Sequence, residues 1–279
     1  MKSLTELIQN DRVSALKGVL GEYSSLLVAF SGGADSSFLL KAAVDFLGRE
    51  SVLAVTASGA IHPEEEISNA RQTAREIGVE WLLIEQDYIG RDLFRSNPTD
   101  RCYHCKRGLF RELIELAEKK GLDAVADGSI MDDTAGHRPG RKAGEELEVK
   151  RPLEEAGITK KELRQLSKKI GLSTWNRPSN ACLATRVPFG EEITEEKLTR
   201  IENAESALRD LGFSALRVRH HGEIARIEVP PEEISRAAGE RISIVHGLKE
   251  IGFDYVTLDL EGYRSGSLTE TIKGEKGTT

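Results

Sequence analysis

Apolar residues fall into two spacings along this chain, and the two alternate. Short, largely apolar runs at 25–30, 51–57, 81–84 and 122–126 have the length and composition of buried strands. Between them, apolar positions recur at helical spacing over 38–47, over a charged stretch from Pro63 to about Ile77, and over 106–120. A mixed-charge amphipathic stretch over 3–20 reads as a surface helix. Strand alternating with helix predicts an α/β fold, a parallel sheet with helices on both faces. In such sheets ligands bind beyond the carboxyl ends of the strands.

The pattern then changes. Residues 132–150 are polar and glycine-rich and read as a loop, with His137-Arg138-Pro139-Gly140 inside it. Helix returns over 159–170, with Gly171 as its C-cap. Residues 175–190 carry prolines, no periodicity and Cys182, which favours a functional loop over a linker. Beyond 191 comes a helix over 194–211, closed by Gly212. Two alternating strands, 214–220 and 224–229, flank a His221-Gly222-Glu223 turn, a hairpin signal. A helical stretch over 232–251, broken near Gly239, leads to a strand over 255–258. The expected division is a first domain over 1–190 and a small α+β domain over 191–279, with 273–279 disordered.

Candidate chemistry begins at Ser31-Gly32-Gly33-Ala34-Asp35-Ser36-Ser37, between the first strand and the helix after it. Two glycines let the backbone turn and approach a ligand closely. The free N–H groups of the following helix, at the positive end of its dipole, attract an anion. Asp35 is out of place in an anion site unless a divalent cation accompanies the anion, which points to a metal-bound phosphate. The competing reading is a glycine turn with Asp35 or Ser36 as a helix N-cap. The ordinary P-loop ends in Gly-Lys-Ser/Thr, and no such ending is present. The loop instead resembles SGGxDS, the pyrophosphate loop of ATP pyrophosphatases, which implies ATP with Mg2+ as cofactor. Ser31, Gly32, Gly33, Asp35 and Ser36 are its candidates. Ser58, and Asp127 with Gly128, end two other strands and converge on the same crevice as further ATP-binding candidates.

Composition narrows the setting. A chain of 279 residues can build one large or two moderate domains. The formal net charge of -7 argues against a broad grip on nucleic acid. No apolar run approaches the ~18 residues of a membrane span, and the N-terminal stretch lacks the pattern of a signal peptide. Three cysteines cannot all pair; without a secretion signal they read as reduced thiols, and the expected location is cytoplasmic.

Cys102-Tyr103-His104-Cys105 is a CxxC, and Cys182 is the third thiol. A structural zinc site needs four ligands; His104 is poorly placed for the fourth, and His137 is the alternative. A redox CxxC belongs at a helix start, and this one precedes a helix. An iron–sulfur cluster held by three thiolates leaves one iron open. Three unconnected thiols are the remaining reading, although the charged neighbours Asp100, Arg101, Lys106 and Arg107 disfavour a buried CxxC.

Several segments together resemble the LarE family, the ATP-dependent sulfur transferases of nickel-pincer nucleotide cofactor synthesis. They are Ala29 to Ser36, Trp175-Asn176-Arg177-Pro178-Ser179 through Cys182, Thr185 to Gly190, Leu216-Arg217-Val218-Arg219-His220, Ile224 to Glu228, and Val256 to Leu260. The likeness covers nearly the whole chain. It implies that a carboxylate of pyridinium-3,5-biscarboxylic acid mononucleotide is adenylated, that pyrophosphate departs into the 31–36 loop, and that sulfur displaces AMP to give a thiocarboxylate. One branch of the family sacrifices a cysteine matching Cys182 and lacks the CxxC. This chain resembles the other branch, in which Cys102, Cys105 and Cys182 hold a [4Fe-4S] cluster. Cys182 and Asp35 are the catalytic candidates. Arg217 and Arg219, two apart on one strand face, suit a substrate phosphate; the competing reading is a surface face paired with Arg226 and Glu228. Trp175 suits either ring stacking or core packing, and His220 and His221 have no assigned role.

The implied partner is a small mononucleotide, without membrane or nucleic acid, in a homo-oligomer whose second domain binds substrate or a further copy. Alternatives are tRNA 2-thiolation by a PP-loop enzyme, an ammonia-using synthetase that would need no cysteine, and a non-catalytic nucleotide-binding module.

Overall fold

The computed structural model describes residues 1–134, 139–178 and 181–264. In chain order the elements are α1 (Asp11–Leu20), β1 (Leu26–Ala29), α2 (Ala34–Leu47), β2 (Val52–Ser58), α3 (Glu64–Ile77), β3 (Glu80–Glu85), α4 (Asp92–Arg95), α5 (Arg101–Lys120), β4 (Ala124–Ala126), α6 (Pro139–Glu146), α7 (Pro152–Glu155) and α8 (Lys160–Ile170). Then come α9 (Glu195–Asp210), β5 (Arg217–His221), β6 (Ile224–Glu228), α10 (Ile234–Gly239), α11 (Arg241–Glu250) and β7 (Tyr255–Leu258). Two compact units result: Met1–Gln86 with Asp100–Asn180, and Asp87–Thr99 with Ala181–Thr279. The units part at 180/181, ten residues before the expected 190/191, and the 87–99 segment joins the second.

The first unit is the expected α/β layer structure. Its sheet has order β3-β2-β1-β4, and every pairing is parallel. Strand period two sorts the side chains between two cores. Leu26, Val28, Val52, Ala54 and Ala126 pack with Phe38 and Leu39 of α2 on one face. Leu27, Leu53, Val55 and Val125 pack with Phe110 and Leu113 of α5 on the other. Adjacent residues of one strand therefore serve opposite layers, which is why the runs are largely apolar. The order reverses between β1 and β4, so the loop after β1 lies at the topological switch point.

Two expectations are corrected and a third is refined. The helix expected from 106 begins at Arg101, so the CxxC lies within the start of the helix, Cys102 in its first turn and Cys105 just past it. Residues 132–150 are not simply a loop: they include α6 and a parallel bridge between Ala126 and Lys150. Charges rather than apolar periodicity anchor α6. Arg141 makes two bonds of 2.6 and 2.7 Å to Glu154, and Arg151 reaches Glu145 at 3.0 Å and the Arg141 carbonyl at 2.6 Å. The aperiodic 175–190 segment contains a 3-10 turn, Leu183–Arg186, opened by Cys182.

The second unit pairs β5 with β6 antiparallel and β6 with β7 parallel. Its core brings Leu208 of α9, Val218, Ala225, Ile227, Leu248 and Phe253 together. The 87–99 segment is stitched to it by Asn97, which donates to the Pro188 carbonyl at 2.7 Å and accepts from Gly190 at 2.9 Å. The tail 273–279 lies outside the described residues.

Candidate functional site

The loop at the end of β1 is tied down before it turns. Thr56 donates to the Phe30 carbonyl at 2.7 Å and accepts from the Trp81 indole at 2.8 Å. Gly32 then takes φ +73°, and a Cβ there would stand 2.8 Å from Cα of Ala70 in α3. Only glycine combines that backbone with that approach. Gly33 is the N-cap of α2 and provides no side-chain cap. The reading of Asp35 or Ser36 as the cap is therefore not what is seen. Instead the serines brace each other: Ser31 Oγ lies 3.0 Å from Ser36 Oγ, and Ser31 N donates to Ser36 Oγ at 3.3 Å. The first-turn N–H groups of a 14-residue helix are left without a side-chain cap at a glycine-lined turn. Such a terminus carries roughly half a positive charge and accepts an anion.

The strand next to β1 completes one wall. Asp127 is buried and its Oδ1 accepts the Ser129 N–H at 2.9 Å. Lys106, one residue past the CxxC, places Nζ 3.8 Å from Asp127 Oδ2. A Cβ on Gly128 would lie 2.8 Å from the backbone nitrogen of Ser36. Gly128 thus meets the loop, and Asp127 directly precedes it. Ser58, on the other side at the end of β2, turns its hydroxyl to the Ile84 carbonyl at 3.2 Å.

Two cations at the loop escaped the sequence reading. Arg177 donates to the Gly32 carbonyl at 2.5 Å. Lys160 holds both Asp35 oxygens, at 2.6 and 2.7 Å. Arg177 had a signal, since it lies in the Trp175-Asn176-Arg177 segment; Lys160, the first residue of a charged helix, had none. Trp175 lies beneath the Lys168 ammonium, 4.6 Å from ring centroid to Nζ.

All three cysteines are half-buried. Cys102 and Cys105 sit one turn apart in α5 of the first unit, and Cys182 opens the 3-10 turn of the second. His104 is engaged by Asp100 at 3.2 Å. His137, the other zinc candidate, and Ser179 lie outside the described residues. Among the described residues no group of three or more His, Cys, Asp or Glu side chains is assembled as a metal site. The donor set fits a thiophilic group in part, with two thiols pre-placed on one helical turn.

The Cys182 turn is clamped within its own unit. The Cys182 carbonyl accepts from Thr185 Oγ1 at 2.8 Å and Arg186 Nη1 at 3.0 Å. Arg219 donates to the Thr185 carbonyl at 2.7 Å. Arg217 and Arg219 are buried, so they do not form a surface face, but the pairing that the competing reading named is present, with Arg226 Nη2 3.3 Å from Glu228 Oε1. Arg219 forks onto Glu228 at 3.0 and 2.9 Å, while Arg226 reaches Asp259 at 3.0 Å. Arg217 donates to the Leu216 carbonyl at 2.7 Å and lies 5.1 Å from the Tyr263 ring centroid. Burial, and next the charge of Arg186, holds the Arg217 guanidinium below its usual pKa.

A family profile described as NAD synthase matches residues 9–99. Fold, loop and switch-point position define an enzyme of the PP-loop class, in which a parallel sheet presents Ser-Gly-Gly-x-Asp-Ser to ATP. The chain is 40% identical over 266 residues to an uncharacterized protein of Synechocystis, covering 94% of this chain and 98% of that one. It is 37% identical over 259 residues to the pyridinium-3,5-bisthiocarboxylic acid mononucleotide synthase of Lactiplantibacillus plantarum, covering 93% and 94%. The chain belongs to that synthase family, LarE, whose members are ATP-dependent sulfurtransferases. A more partial likeness, 30% over 210 residues, joins it to the tRNA-specific 2-thiouridylase of Parvibaculum lavamentivorans, covering 62% of this chain and 52% of that one. No helix among the described residues is long and apolar enough to cross a membrane.

Proposed function

We propose that the protein adenylates a carboxylate of pyridinium-3,5-biscarboxylic acid mononucleotide with MgATP and replaces the AMP with sulfur to give a thiocarboxylate. The observation that carries this reading is the uncapped start of α2 beside Gly32 and Gly33, in a chain that matches the named synthase along nearly its whole length.

A carboxylate is a poor acyl donor because its charge is delocalised and its leaving group would be oxide. Attack of a carboxylate oxygen on the α-phosphorus of ATP breaks the α–β phosphoanhydride bond and expels pyrophosphate. The 31–36 loop receives that anion, with Asp35 holding Mg2+ and Ser58, Asp127 and Gly128 forming the rest of the nucleotide site. Sulfur then attacks the acyl carbon and AMP leaves. The protein's work is positioning and charge stabilisation. Arg217 and Arg219 give the second unit positive potential for the substrate phosphate, Arg219 while also holding Glu228 and the Thr185 carbonyl.

Cys102, Cys105 and Cys182 would hold a [4Fe-4S] cluster. With three protein thiolates, such a group offers an open iron at which hydrosulfide can be carried. Its rival is sacrifice of Cys182 as the sulfur donor. The second unit is also read as the self-association surface: Ile224 and Tyr255, exposed register partners on β6 and β7, form an apolar pair there.

The likeness to a tRNA 2-thiouridylase supports tRNA thiolation as a second reading, against which the net charge of -7 weighs. Anaerobic purification with iron and sulfide analysis, a visible spectrum and mass analysis of the product tests both. Iron, a brown chromophore and repeated thiolation of the mononucleotide are expected. A colourless protein that thiolates once per chain would instead assign the sulfur to Cys182. Thiolation of tRNA alone would overturn the substrate.

A further inference from the structure

Asp35 is the one anion in a loop built for anions, and the fold gives it a cation. Lys160 Nζ lies 2.6 Å from Oδ1 and 2.7 Å from Oδ2. The two side chains are 29% and 30% exposed, so the pair is partly open to solvent.

The lysine is delivered from a rigid base. It is the first residue of α8, whose start is closed by a reciprocal capping box between Thr159 and Glu162. Its own N–H donates to the Asp132 carboxylate, and the Met131 N–H to Ile158 carbonyl bond at 3.0 Å ties the same segment down. The backbone is therefore held while the four-carbon stem can swing.

A metal-bound pyrophosphate competes for this arrangement. Lys160 uses one lone pair on each Asp35 oxygen and leaves the others for a metal. A divalent ion bound there would stand close to the ammonium, and repulsion between the two cations favours moving Lys160 off the carboxylate. With metal–oxygen distances of about 2.1 Å, a phosphate oxygen on the same metal would come within roughly 5 Å of the displaced ammonium, inside the sweep of the side chain. A lysine suits such an exchange because its point charge re-pairs in any direction, whereas a guanidinium fork is committed by its geometry.

We propose that Lys160 is a pyrophosphate-binding residue that trades partners. It neutralises Asp35 before nucleotide arrives and takes a phosphate oxygen once Asp35 takes the metal. The proposal rests on the reading of the 31–36 loop as a pyrophosphate cradle and names a further residue of that site. It also explains how an aspartate is tolerated there: without metal, Lys160 prevents Asp35 from repelling the anion.

The test is calorimetric titration of inorganic pyrophosphate, with Mg2+ and with EDTA. It uses the full chain as wild type, Lys160→Met, Asp35→Asn and the double variant. The double variant decides, because with Asp35 neutral a mere counter-charge has nothing left to do. Lys160→Met is expected to weaken pyrophosphate binding by roughly tenfold or more even in the Asp35→Asn background, the size of one charge-assisted contact. Lys160→Arg is expected to restore part of the loss, and Lys161→Met, an exposed neighbour on α8, to have no effect. A change within about twofold on removing Lys160 from the Asp35→Asn protein would overturn the proposal. Failure of the wild type to bind pyrophosphate under either condition would overturn the cradle reading as well.

Discussion

Gly128 and Ser36 meet without room for a methyl group: a Cβ at 128 would stand 2.8 Å from the Ser36 nitrogen and 3.0 Å from its Cα. Those are backbone atoms of the first turn of α2, so no side-chain rotation relieves the clash. Gly128→Ala must move either the end of β4 or the start of α2. Overpacking of this kind costs about 1–3 kcal/mol, and here the strain falls on the loop read as the phosphate cradle. A roughly tenfold or greater loss of pyrophosphate affinity is expected, with the cooperative unfolding transition retained. Calorimetry beside a urea melt checks it.

In the second unit Arg186 and Glu205 are joined at 2.8 and 3.0 Å, and their side chains are 2% and 1% exposed. Glu205 also accepts the Val218 N–H at 3.1 Å, so one carboxylate joins the Cys182 turn, α9 and β5. Glu205→Gln leaves a buried guanidinium uncompensated, at a cost of about 3–5 kcal/mol. Arg209, at 3.5 Å from the same carboxylate and partly exposed, contributes less; Arg209→Ala is expected to cost under about 1 kcal/mol. Urea midpoints of the two variants should separate accordingly.

Arg217 is proposed to bind the substrate phosphate. Arg217→Gln is expected to raise KM for the mononucleotide by roughly 10- to 100-fold, the worth of a charged hydrogen bond. It should leave KM unchanged for the same compound without its phosphate. Parallel steady-state measurements with the two substrates check the point.

His62 follows β2, and burial lowers its pKa from 6.5 to about 4. Between those values the unfolded chain carries a proton that the folded chain refuses. Stability therefore falls as pH drops through that window, and the effect levels off below about pH 4. Full loss amounts to about 3 kcal/mol. His220 and His221, also lowered by burial, act in the same direction. Wild type should lose more stability than His62→Gln between pH 7 and 4.5, as read from urea midpoints.

The layered first unit was legible because its strands must hide both faces. Leu26 and Leu27 are adjacent yet feed different cores, as a sheet covered on both faces requires. The Ser31–Gly32–Gly33 turn was legible because its glycines have conformational work to do. Helix α6 was not, because Arg141, Glu145, Arg151 and Glu154 hold it through charge, which leaves no apolar period. The 87–99 segment was assigned by position in the chain, whereas Asn97 and its bonds to 188 and 190 join it to the second unit.

From residue order alone came the strand–loop–helix unit, the chemistry of its anion site, the inventory of thiols and the paired arginines of β5. These depend on neighbours within a few positions, where period, glycine and helix start act directly. Only tertiary structure decided that Lys160 answers Asp35 across 125 positions and Arg177 answers Gly32 across 145. It likewise decided that Arg219 spends its fork on Glu228. Long-range charge pairing leaves no periodic trace, because a single ammonium or guanidinium finds its partner through the path of the backbone and not through any pattern around it.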